Sequence, residues 1–144
     1  MLKSLSVVGY LGMVGGLLGQ WAAGNLFSAS PVVIVVQAGS LLLFVWARLT
    51  LRGRSFHVAA NPTEGGLVTS GPYRHIRHPI YSAMSLVVVA GAAAHWSWGS
   101  VLLASLVLGC ALLRILCEET LVTERYPEYR QYAANTWRMI PWLF

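Results

Sequence analysis

Charge is what this sequence has least of. Ten Lys and Arg and five acidic residues, all of them Glu, make up 10% of 144 residues. An ordinary soluble domain carries about 25% charged residues. The apolar fraction is 56% and the mean hydropathy +0.61. Intrinsic disorder is excluded, since it needs low hydrophobicity and high net charge. Cysteine is almost as scarce. Cys110 and Cys117 stand seven apart in one apolar run, about 10 Å of helical rise, too far for a disulfide within that helix. Without a CxxC spacing or a nearby His, no metal site is expected. Fourteen Gly show no collagen period. No Lys/Arg-rich run is present, so the net charge of +5 does not point to nucleic acid. No βαβ pattern with a Gly-rich turn exists to cradle a nucleotide.

Long apolar runs are what the sequence does have. A bilayer core of about 30 Å takes about 20 residues of helix. Four spans are expected, at about 5–27, 31–47, 80–94 and 99–117, the last two being halves of one long apolar stretch that would each just cross. The expected fold is all-α and membrane-embedded, one domain over residues 1–144. The first run could serve as a signal peptide behind Lys3, with Ala22-Ala23-Gly24 as cleavage site. It is long for that role, and Gly12xxxGly16 and Gly15xxxGly19 suit close packing of helices in lipid. Pro31 opens the second run, as proline can in a first helical turn. A polar loop covers residues 53–79, and loops of that length are usually functional or disordered. Trp96 and Trp98 mark the turn between the last two runs, at interface height. Beyond Glu118 the helix is expected to end near Tyr126, with a short amphipathic helix from about Pro127 to Ala134.

With four crossings, all fifteen charged residues fall on one side of the membrane. The connections near 28–30 and 95–99 carry none. The positive-inside rule makes the charged side cytoplasmic, and both termini with it.

Three clusters hold the reactive side chains. The first is Gly71-Pro72-Tyr73-Arg74-His75-Ile76-Arg77-His78-Pro79-Ile80-Tyr81. It reads either as membrane anchors with a helix start or as a turn presenting cations, imidazoles and phenols. The second is Glu118-Glu119. Arg114 is spaced i,i+4 from Glu118 and can pair with it, which leaves Glu119 without a partner. An acid at a membrane edge needs a reason, and an amine or sulfonium ligand supplies one. The third is Tyr126-Pro127-Glu128-Tyr129-Arg130-Gln131-Tyr132 with Arg138 and Pro141. Tyr129 and Tyr132 share a helix face, which suits an interfacial helix and a ligand site equally.

Taken together, Leu67-Val68-Thr69-Ser70-Gly71-Pro72-Tyr73, Arg77-His78-Pro79-x-Tyr81, Glu118-Glu119-x-Leu121, Tyr126-Pro127-Glu128-Tyr129-x-x-Tyr132 and Arg138 with Pro141 resemble one family. It is the isoprenylcysteine carboxyl methyltransferase-like family of integral-membrane methyltransferases, related to the phospholipid methyltransferases. The resemblance covers residues 67–141. It implies S-adenosylmethionine as methyl donor. By position, Tyr73, His78, Pro79, Tyr81, Glu118, Glu119 and Tyr129 belong to the donor pocket, one Glu holding the donor's amino group. Arg77 and Arg138 match arginines at the methyl-accepting end. The implied acceptor is a lipidic or amphipathic small molecule met at the membrane. Arginine cannot act as a base at neutral pH, which favours an anionic carboxylate acceptor over an amine or thiol. Phospholipid or amine N-methylation, thiol S-methylation and a non-catalytic scaffold of the same fold stay open at this level.

Overall fold

The computed structural model describes residues 1–52 and 66–144, and most of the polar loop expected over 53–79 lies outside the described residues. The described residues form five α-helices: α1 (Leu2–Ala22), α2 (Pro31–Leu51), α3 (Pro79–Ala94), α4 (Trp98–Arg125) and α5 (Tyr129–Ala134). A short 3-10 turn, Gly71–Arg74, stands between α2 and α3. The described residues contain no strand, only a single parallel bridge between Ile76 and Trp137.

Local chemistry sets the helix starts. Pro31 and Pro79 each occupy a first helical turn, where a missing N–H costs nothing. Ser97 caps α4, its hydroxyl accepting from the Ser100 amide at 3.1 Å. At the far end α4 stops at Arg125, one residue before the Tyr126-Pro127 pair. α1, α2 and α4 are long and apolar enough to cross a membrane. α3 is shorter, 16 residues or about 24 Å.

The helices pack as two principal pairs, α1 on α4 and α2 on α3, with α3 against α4 joining them. Small residues make the first pair possible. A Cβ on Gly16 would press into the Val107 side chain and the Leu103 carbonyl, so only glycine allows α1 this close. Gln20 is fully buried in this seam and donates to the Ser100 carbonyl at 2.9 Å. The core between α1, α3 and α4 is Met13, Tyr81, Val88, Ala92, Ala104, Val107, Ala111 and Ile115.

The two chargeless connections come together at one end. Nε2 of His95 lies 2.7 Å from the Phe27 carbonyl, and Gln37 donates to the Leu26 carbonyl at 2.7 Å. The 3-10 turn, α5 and the end of the chain gather at the opposite end. There the backbone of 75–78 pairs with 137–138: Trp137 N–H to the His75 carbonyl, Arg77 N–H to the Trp137 carbonyl and His78 N–H to the Arg138 carbonyl. α4 has 28 residues, about 42 Å, and so outruns a bilayer core of about 30 Å. Its surplus turns carry Glu118, Glu119 and Glu124 into this polar end.

Candidate active site

The site is built where the start of α3 meets the last turns of α4. His78 and Tyr81 flank Pro79 at the start of α3, and their rings lie 5.8 Å apart. Glu118 and Glu119 approach them from α4. Tyr81 donates its hydroxyl proton to Glu118 Oε1 at 2.7 Å. His78 presents Nδ1 to Glu118 Oε2 at 3.9 Å and Nε2 to Glu119 Oε1 at 3.2 Å. One imidazole thus stands between the two carboxylates.

Glu119 is the hub. Arg77 donates Nε to Oε1 at 2.9 Å, and Arg138 donates Nη2 to Oε2 at 2.9 Å. The Tyr129 hydroxyl adds a longer contact at 3.3 Å. Arg77 also ties down α5 and its exit, donating Nη1 to the carbonyls of Ala133 and Thr136. The expectation that Glu119 lacks a partner is corrected here. Spacing along one helix shows only the Arg114–Glu118 pair, which does form at 3.0 Å. The partners of Glu119 arrive from residues 41 to 42 positions earlier and 10 to 19 later. Glu118 is the less committed acid. Its Oε1 accepts from Tyr81 and Arg114, while among the described residues Oε2 meets only the distant His78.

The remaining candidates take supporting places. Tyr73 is buried against Ala47 and Leu51 of α2, and its carbonyl accepts the Tyr132 hydroxyl at 2.6 Å. Pro79 is fully buried and contributes shape alone. Tyr129 and Tyr132 do share a face, with ring centroids 5.6 Å apart. Burial raises both phenols above their ordinary range: Tyr132 reaches about 12, and the Glu119 charge pushes Tyr129 further. Both are therefore neutral donors at physiological pH. Beside this cluster an open groove of about 570 Å³ is lined by Arg77, Glu119, Thr123, Glu124, Arg130 and Arg138, among others, within the size range of small-molecule sites.

The sequence reading left two contributors outside the site. Arg114 is buried and touches both Tyr81 and Glu118. Tyr10 of α1 places its ring 5.2 Å from the Arg114 guanidinium. For Arg114 the signal was present, an arginine inside an apolar run. For Tyr10 none was, because nothing in the sequence says that α1 lies on α4.

Compared with known proteins, a family model described as phospholipid methyltransferase matches residues 48–129, more than half the chain. No curated protein matches it. The matched span includes Arg77, His78, Tyr81, Glu118, Glu119 and Tyr129, and leaves out α1 and Arg138.

Proposed function

The chain belongs to the phospholipid methyltransferase family of membrane methyltransferases, and from that premise we propose that it transfers a methyl group from S-adenosylmethionine to a lipidic or amphipathic acceptor at the cytoplasmic membrane face. The proposed topology is four crossings in one domain, with both termini and the polar cluster cytoplasmic. Two features support it: the segregation of charge and the meeting of the two bare connections.

The observation that carries the reading is the cluster itself: His78 reaches both Glu118 and Glu119, Tyr81 donates to Glu118, and Arg77 and Arg138 hold Glu119 alongside. Its donor set fits an amino-acid-bearing sulfonium. Glu118 keeps Oε2 available for an ammonium, the arginines suit a carboxylate, and the aromatic faces of His78 and Tyr81 favour a cationic sulfur. Tyr73, Pro79 and Tyr129 complete the proposed pocket as packing and as a neutral donor. When bound, S-adenosylmethionine supplies the electrophilic methyl carbon. The protein's own work is then positioning and exclusion of water.

Carboxyl O-methylation is the favoured chemistry. A carboxylate is ionised at neutral pH and needs no base. Arg138 is the more exposed of the two arginines, and its Nη1 makes no hydrogen bond among the described residues. It can hold an acceptor anion while Nη2 keeps Glu119. The competing reading is N-methylation of a phospholipid or another amine, favoured by the acids and His78 as proton acceptors. Thiol S-methylation, or a scaffold that keeps the fold without catalysis, are the remaining alternatives.

Incubation of the purified protein with methyl-labelled S-adenosylmethionine and a membrane-lipid extract tests this. The expected product is a labelled lipid that releases labelled methanol in mild alkali, as a methyl ester does. An alkali-stable label moves the assignment to nitrogen or sulfur. No transfer, together with no shift in melting temperature on adding the donor or its demethylated product, favours the scaffold.

A further inference from the structure

Arg114 lies within α4, 6% exposed, in a helix apolar enough to cross a membrane. An arginine there is expensive and by default functional. It does more than neutralise Glu118. Its Nε donates to the Tyr81 hydroxyl at 2.6 Å and to Glu118 Oε1 at 3.0 Å, while Tyr81 donates to the same Oε1 at 2.7 Å. The three groups close a ring in which each fixes the other two. The far side of the guanidinium belongs to α1. Nη1 donates to the Ser6 carbonyl at 3.3 Å, and the Tyr10 ring lies 5.2 Å from the guanidinium carbon. Gly9 eases this approach, since a Cβ there would stand only 3.0 Å from the Cys110 carbonyl oxygen.

We propose that Arg114 is a positioning residue for the donor site and that α1, through Tyr10 and Ser6, is part of that site. By holding Oε1 of Glu118 and the hydroxyl of Tyr81, Arg114 leaves Glu118 Oε2 turned toward a ligand ammonium. The seating of α1 then sets donor affinity, although α1 lies outside the residues that match the family. The inference rests on the donor reading given above.

Calorimetric titration of the full-length protein in detergent with S-adenosylhomocysteine tests it. Tyr10→Phe keeps the ring over the guanidinium and should bind like wild type. Tyr10→Leu removes the ring face and should weaken binding about three- to tenfold, the scale of a desolvated cation–π contact. Tyr81→Phe should also weaken binding, and the double variant should lose less than the product of the two single losses, because both act through Arg114. Arg114→Lys should lose affinity as well, because one compact ammonium does not reproduce the fork. A purely structural role predicts a lower melting temperature for Tyr10→Leu with unchanged affinity. That result, or independent effects in the double variant, overturns the inference while leaving the donor reading intact. If wild type binds neither S-adenosylhomocysteine nor S-adenosylmethionine, the donor reading falls and the inference with it.

Discussion

Arg138 grips Glu119 with two nitrogens, Nη2 at 2.9 Å and Nε at 3.1 Å from the same carboxylate oxygen. The arginine stands just beyond α5 and the acid near the end of α4, so this pair fastens the last segment of the chain to the helix that carries both acids. Behind Arg138 the Phe144 ring lies 4.9 Å from the guanidinium, and the Phe144 oxygen accepts the amides of Met139 and Ile140, each at 2.8 Å. The closing turn of the chain is thus folded onto the arginine that holds the hub.

The two acids should therefore respond differently to neutralisation. Glu119→Gln leaves Arg77 and Arg138 facing an uncharged amide, and breaking a buried pair costs about 3–5 kcal/mol. Its main effect is expected in the melting temperature. Glu118→Gln also costs stability, because the buried Arg114 then faces an uncharged amide, but it should in addition weaken donor binding by about 1.5–3 kcal/mol, the worth of a hydrogen bond to a charged group. Calorimetry and thermal unfolding of both variants check this. Wild-type donor affinity in each would remove the pair from the site.

Orientation is open to chemical labelling. With Cys110 and Cys117 replaced, single cysteines at Ser30, Ser97 and Ser70 all lie at exposed positions. A membrane-impermeant thiol reagent applied to intact cells should modify the first two and spare Ser70. Modification of Ser70 alone would invert the topology.

Two pH dependences follow. With a carboxylate acceptor, kcat/KM should stay nearly flat from about pH 6 to about pH 9, since the acceptor is ionised throughout. A rise of about tenfold per pH unit would mark a nucleophile that must first lose a proton. Stability should behave differently in alkali. The Tyr132 phenol is raised from its ordinary value near 10 to about 12 by burial, so the folded protein holds that proton longer than the unfolded chain. Its contribution is complete below about pH 10 and is lost as pH rises toward about 12. Tyr132→Phe should make unfolding less sensitive across that interval, as followed by circular dichroism.

Packing of α1 on α4 gives a paired test. Gly16→Val should lower the melting temperature, because overfilling a tight seam costs about 1–3 kcal/mol. Gly15→Ala is its control. A Cβ there meets nothing within 4 Å, so stability should hold or rise slightly. Equal losses at both positions would mean that the seam does not discriminate.

Much of this architecture could be read in advance from apolar runs and their interruptions. Pro31, Pro79 and the His95–Trp98 turn mark helix limits through rules that act within a few residues. The Arg114–Glu118 pair belongs to the same short range. What stayed hidden was long-range pairing. Nothing near Glu119 announces Arg77 or Arg138, and nothing near Ile76 announces Trp137. The 3-10 turn at Gly71–Arg74 was hidden too. It depends on Gly71 taking φ of +58° against Thr50 of α2, a contact made across the loop. The candidate residues could be named because they recur in a recognisable order, yet their division of labour could not. Saturation of Glu119 and the spare oxygen of Glu118 are facts of packing.

The Gln20–Ser100 bond has a consequence for how the protein is made. Its partners are 80 positions apart. A ribosome adding about 5–20 residues per second takes about 4–16 s to travel that distance. During that interval the first helix must wait in the translocon or the lipid with a polar amide and a glycine-lined flank still uncovered. Its burial comes only when the last long helix emerges. Quality control that senses unpaired polar groups in nascent membrane segments therefore has a window of seconds in which to act on this chain, and a substitution that slows closure of the seam lengthens it.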